Sequence, residues 1–148
     1  MREYYEENAD RYAAHYGKAA AEKRVPGCTP PDYDIEAVIP LYAEARRLTN
    51  ETGVQHHVDH AIPLVLGGQH VASNLRVVTA EENQAKGQIE RQLVAAATGA
   101  DPIERVKVVW RDIRDNLAEL VGYELAAQIY MVAMEVATET ARSYRRDA

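Results

Sequence analysis

Apolar positions along this chain recur at helical spacing towards both ends and at strand-like spacing only in the middle. Residues 2–24 read as a helix of mixed charge, in which Tyr5, Ala9, Tyr12 and Tyr16 follow at intervals of four, three and four and share one face. That stripe reads as packing surface rather than as a base-stacking platform. The breaker-rich "VPGCTPP", Val25 to Pro31, ends the helix. A second helix is expected within Asp34 to Asn50, with Gly53 closing it; Pro40 either kinks it or marks its first turn.

From His56 the pattern changes. "HHVDHAIPL" is strand-like and runs into the turn pair Gly67 and Gly68, and "NLRVV", Asn74 to Val78, is a second short strand. Thr79 with Glu82 three residues on is a capping-box signature, so a helix is expected from there to about Thr98, stopped by Gly99. Asp101, Pro102 and Glu104 mark another helix start. Two helices split near Gly122 then reach the C-terminus. On the last one Ala126, Ile129, Tyr130, Ala133, Ala137 and Ala141 form a small-residue seam, read as packing within its own domain, with a homodimer interface as the alternative. The predicted class is α+β and mainly helical: a small two-stranded hairpin with helices on both sides. The expected segments are an N-terminal helix and turn (1–28), a central core with a lead-in helix (29–99) and a C-terminal helical extension (100–148).

Composition narrows the function classes. The chain has 148 residues, enough for one domain with an extension, and is 47% hydrophobic. No stretch approaches the ~20 apolar residues that a membrane span needs, so no membrane partner is expected. The opening "MREYYEENAD" lacks the apolar core of a secretory signal. The single cysteine, Cys28, excludes an internal disulfide and a cysteine-rich zinc knuckle, and a reducing, cytoplasmic setting is expected. The net charge is −6, and residues 1–50, 51–100 and 101–148 each carry −2. That sign is wrong overall for a protein that grips nucleic acid by charge alone.

Candidate chemistry concentrates between His56 and His70, where four of the five histidines lie. Asp59 and His60 close the first predicted strand, and Asn83 falls in the first turn of the helix after the second. A hairpin with a helix across it can bring the three together. Asp and Asn offer oxygen ligands, which suit a hard divalent cation such as Mg²⁺ or Mn²⁺. His60 is then left as a base, with an unperturbed pKa of about 6.5. Lys86 lies one helical turn after Asn83, on the same face.

At these residues the chain resembles the HNH endonucleases, whose core is the ββα-metal motif. The resemblance rests on "HVDHAIPL", "GGQHVASNL" and "ENQAKG", with His60, Asn74 and Asn83 at the three signature positions, fourteen and nine residues apart. The third position is Asn where the family commonly has His. The likeness is greatest to small HNH proteins of tailed bacteriophages without zinc-binding cysteines, and their lead-in has its counterpart in "TPPDYDIEAVIPLYAEARRLTNETG", Thr29 to Gly53. It covers about Thr29 to Gly87. The resemblance implies that His60 is the general base, that Asp59 and Asn83 hold the metal, and that Asn74 ties the loop backbone and so orients His60. It implies cleavage of DNA to 5′-phosphate and 3′-hydroxyl ends and, by analogy with the phage proteins, work beside the packaging terminase.

Around that set, Lys86 competes with a solvated helix lysine. His57 shares the strand face of Asp59 and is a substrate-binding candidate together with His70 and Arg76. His56 and His15 read as background, and Glu81 and Glu82 belong to the helix N-terminus. Residues 51–100 hold only Arg76, Lys86 and Arg91 as cations. Unaided DNA binding is therefore expected to be weak unless Arg46, Arg47, Arg142, Arg145 or Arg146 supplement it. The leading expectation is a metal-dependent DNA endonuclease or nickase. A non-catalytic DNA-binding or assembly module on the same fold is the alternative, and an RNase or toxin the third.

Overall fold

The computed structural model describes residues 2–147, with side chains from Asn8 onward. The side chain of Tyr5 therefore lies outside the described residues. Among them the fold is α+β and mostly helical, as predicted. The chain divides into two compact units, residues 1–83 and 84–148. The division falls inside a helix rather than at the expected 99/100 boundary, and the N-terminal helix belongs with the core rather than apart from it.

The first unit holds α1 (Arg2–Arg24), α2 (Ile35–Thr52), the strands β1 (His56–His60) and β2 (Leu75–Thr79), and the first turn of α3 (Ala80–Thr98). Asp34 starts α2 because its carboxylate accepts the Glu36 N–H at 3.0 Å, one of the donors a helix start leaves orphaned. Gly53 ends it in the left-handed region at φ 72°, which glycine adopts without strain. Pro40 sits inside α2 and does not begin it. Buried Asp10 of α1 takes two hydrogen bonds from Arg46 of α2, both 2.8 Å, and clamps the helices together. Between them and the hairpin lies a core of Ala14, Val38 and Leu75, with Tyr42, Ile39 and Val58 against it. Ala21, Cys28 and Leu64 form a second cluster where the loop after β1 meets the turn after α1.

The strands pair antiparallel with His56 opposite Thr79 and His60 opposite Leu75. The ladder stops at His60 instead of running to Leu64. Pro63 has no N–H to donate, and Leu64–Leu66 coils into a 3₁₀ turn. β2 begins at Leu75, one residue later than expected, because Asn74 ends a 3₁₀ turn over Ala72–Asn74. The Thr79 hydroxyl accepts the Glu82 N–H at 3.1 Å, so the predicted cap of α3 is formed.

Gly68 lies where the loop folds back on itself. A Cβ there would sit 2.0 Å from the Ile62 carbonyl oxygen and 2.9 Å from that of Pro63, both backbone atoms that cannot swing aside. Gly68→Ala is expected to cost about 1–3 kcal/mol through forced backbone movement. Thermal melts of the two proteins check this, and equal midpoints would show that the loop yields freely.

The second unit holds the rest of α3 with α4 (Pro102–Val121) and α5 (Tyr123–Asp147). Val106, Ile113 and Leu117 of α4 and Ala126, Ile129, Ala133 and Ala137 of α5 are buried, and Trp110 stacks on Tyr130 at 4.7 Å. Of the seam predicted on α5, Ala126, Ile129, Ala133 and Ala137 are therefore covered within one chain, while Tyr130 and Ala141 stay partly exposed. Asp101 precedes α4, but its side chain makes no capping bond; its backbone carbonyl accepts the Arg105 N–H instead. No helix among the described residues is long and apolar enough to cross a membrane.

Candidate functional site

Strand alternation divides the candidate residues between the two faces of the hairpin. Opposite residues of an antiparallel pair share a face, and neighbours along a strand do not. His56, Val58 and His60 therefore lie on the side of Leu75 and Val77, the side whose Val58 and Leu75 meet the α1–α2 core. His57 and Asp59 lie on the other side, with Arg76 and Val78.

On that second face, the Asn83 amide nitrogen donates to His57 Nδ1 at 3.2 Å, joining the first turn of α3 to β1. With Nδ1 accepting, neutral His57 carries its hydrogen on Nε2. Asp59 stands directly across from Arg76, with Oδ2 3.5 Å from Nε. Among the described residues no group of three or more His, Cys, Asp or Glu side chains is placed to hold a metal ion. A carboxylate and an amide oxygen are nevertheless the donor chemistry of a hard cation that keeps most of its waters and completes its shell on substrate phosphate. Asp59 and Asn83 fit that kind of site, and Arg76 would compete for the same carboxylate.

The loop between the strands is strapped by one side chain. Asn74 Oδ1 accepts the Ile62 N–H at 2.8 Å, while its Nδ2 donates to the carbonyls of Ile62 at 3.0 Å and Gln69 at 2.9 Å. Its own carbonyl accepts the Ala61 N–H at 2.8 Å. The chain leaving His60 is thus held on both sides of the residue pair Ala61 and Ile62.

His60 itself turns to His70. Its Nε2 lies 2.9 Å from His70 Nδ1, with the ring centroids 5.1 Å apart. His70 is 1% exposed, its ring tilts against that of Tyr33, and its backbone N–H donates to the Cys28 carbonyl at 2.9 Å. The turn carrying Cys28 is held by Glu22, whose carboxylate accepts the N–H groups of Gly27 and Thr29, both at 2.8 Å. Those bonds keep the Glu22 carboxyl below its ordinary range. Burial pushes the His70 imidazole below its usual 6.5, with Lys18 acting the same way and Glu22 opposing.

A histidine whose pKa is depressed by folding resists protonation in the folded state, so below about pH 6.5 the unfolded chain binds the extra proton. Stability is then expected to fall as pH drops from about 6.5 through the lower, folded-state value. Melting curves from pH 7.5 to 5 check this, and His70→Phe is expected to flatten the trend. A slope left intact by that substitution would assign it to other groups.

Of the other candidates, Lys86 is buried and forms an ion pair with Glu90, one turn further along α3. Arg46 is engaged by Asp10, and Arg47 by Glu44 and Glu51. His56 Nδ1 lies 2.7 Å from the Val54 carbonyl, a local contact. The structure thus brings together His57 with Asn83, Asp59 with Arg76, and His60 with His70. Sequence reasoning missed Glu22, Cys28 and Tyr33 as the surroundings of His70. The turn at Val25 to Pro31 was legible, but no spacing in the sequence says which distant residue its carbonyl meets.

Comparison of the chain with protein-family models, with curated proteins and with solved structures finds no match in any of the three.

Proposed function

We propose that this chain is a divalent-cation-dependent DNA endonuclease or nickase of HNH type. The observation that carries the reading is the strap made by Asn74, whose three side-chain hydrogen bonds hold the loop that leaves His60. A base is useful only when its ring is held in one orientation, and a strapped loop at a strand end supplies that. The contact between Asn83 and His57 further supports it, because it draws the start of α3 onto the strand face that carries Asp59.

In this reading Asp59 and Asn83 hold Mg²⁺ or Mn²⁺, which when bound supplies Lewis-acid stabilisation of charge on the scissile phosphate. His60 takes the proton from the attacking water. His57 orients Asn83 through its Nδ1. Arg76 releases Asp59 to the cation and turns to phosphate, and His70 acts on His60 rather than on DNA. Lys86 is kept as a positive charge one turn after Asn83. The test is incubation of supercoiled plasmid with the protein and Mg²⁺ or Mn²⁺, against the same mixture with chelator. Nicked or linear product that depends on the cation is expected, and intact plasmid under every condition would overturn the reading.

Charge pairing favours a second reading, in which the chain is a non-catalytic module that meets DNA through a partner such as a packaging terminase. Arg46, Arg47, Arg76 and Lys86 all form ion pairs with acidic side chains. Each phosphate neutralised contributes about −0.9 to the slope of log K against log salt on duplex DNA. Arg76, Lys86 and Arg91, the three cations of residues 51–100, are expected to give a slope no steeper than about −3. A fluorescence titration of labelled duplex at several salt concentrations measures it. A steeper slope would mean that the arginines of α2 or the C-terminal end leave their acidic partners to bind DNA.

A further inference from the structure

We propose that His70 is the positioning residue of His60: its Nδ1 holds His60 Nε2 and so decides which nitrogen of the base takes the proton. This rests on the reading of His60 as the general base. The contact is 2.9 Å, and two imidazole nitrogens at that distance share a single hydrogen, so the tautomers of the two rings are coupled. His70 is the rigid member. It is 1% exposed, hydrogen-bonded through its backbone to Cys28, packed against Tyr33, and supported beneath by the turn that Glu22 holds.

The buried ring also carries a cost that packing alone does not explain. His70 Nε2 is buried with no hydrogen-bond partner among the described residues. A phenylalanine would fill the same space without an orphaned polar atom, so the polar function of His70 is the bond its Nδ1 makes to His60. A working base is oriented by a third group on its far nitrogen. Neutral His70 meets that need only as an acceptor. When His60 donates Nε2–H to His70 Nδ1, the His60 lone pair stands at Nδ1. Once a proton from water arrives there, the bond to His70 persists and becomes charge-assisted. With the hydrogen on His70 Nδ1 instead, the His60 lone pair is at Nε2 and tied up in the contact.

The test reads the tautomer and the rate separately, on the full chain. Nitrogen-15 NMR of histidine-labelled protein is expected to show His60 as the Nε2–H tautomer in wild type, and to lose that bias in His70→Phe. In plasmid cleavage His70→Phe is expected to lower kcat by up to about 10²-fold, the scale of loss when a reacting group is slightly misplaced, with KM little changed. His70→Asn, whose amide places a polar atom near the position of Nδ1, is expected to recover most of the rate. Should the Phe variant fail to fold, His70→Gln, with its polar group near Nε2 instead, carries the same comparison. An unchanged His60 tautomer and unchanged kcat without His70 would overturn the proposal, as would a wild-type His60 in the Nδ1–H form. An inert wild type with paired rings would sink the nuclease reading and leave the pairing standing. Brisk cleavage with unpaired rings would do the reverse.

Discussion

Replacing His60 with alanine is expected to lower plasmid cleavage by ~10²–10⁴-fold, the usual loss for one positioned acid–base group. Cation binding should persist, because Asp59 and Asn83, the proposed ligands, are untouched. The fold does not escape free of cost. Without His60, the buried Nδ1 of His70 joins Nε2 as a polar atom without a partner. An orphaned buried group costs about 1–3 kcal/mol. For a chain of 148 residues that is a midpoint lower by several degrees, at roughly 2–4 °C per kcal/mol. Single-turnover cleavage beside circular-dichroism melts separates the two effects. A variant that melts lower but cuts at the wild-type rate would leave His60 a structural residue and remove the mechanism.

Asn74→Ala is expected to lower stability and cleavage together. The substitution removes all three side-chain bonds of the strap, leaving the Ile62 N–H and the carbonyls of Ile62 and Gln69 to find water or go without. Because Asn74 is half-buried, solvent relieves part of the loss, and a total of about 2–3 kcal/mol is reasonable for the three groups. Asn74→Asp should fare no better. It keeps an acceptor for Ile62 N–H but turns a second oxygen towards two carbonyls that were accepting hydrogen bonds. Melting midpoints and initial cleavage rates of the three proteins test this. Lost cleavage at an unchanged midpoint would mean that Asn74 touches substrate instead of holding the loop.

Helix positions were legible because local signals coincided. Asp34, Gly53 and Thr79 each act at the helix end that their chemistry favours, and the apolar spacing of α4 and α5 matches their buried faces. The β1 end was misjudged because "AIPL" is apolar and strand-like in composition, while the missing N–H of Pro63 and the side chain of Asn74 act against a continued ladder. Asp101 shows the limit of a short motif. The residue types of a cap were present, but at φ 46° the backbone leaves its carboxylate without a capping bond.

By itself, the sequence determined the order and kind of the elements and gathered the candidate residues into one stretch, since helix period, turn chemistry and caps act over a few residues. Its resemblance to the HNH pattern named Asp59, His60, Asn74 and Asn83 together. Only the tertiary structure decided who meets whom. Strand alternation and register separate neighbours Asp59 and His60 onto opposite faces, while folding of the loop over the turn after α1 carries His70 to His60. It also engaged Arg46 of α2 with Asp10 of α1, which no charge count reveals. The physical reason is common to all of these. Contacts between distant residues depend on burial and register, and both follow from how packed elements exclude water, not from the residues that are adjacent in the chain.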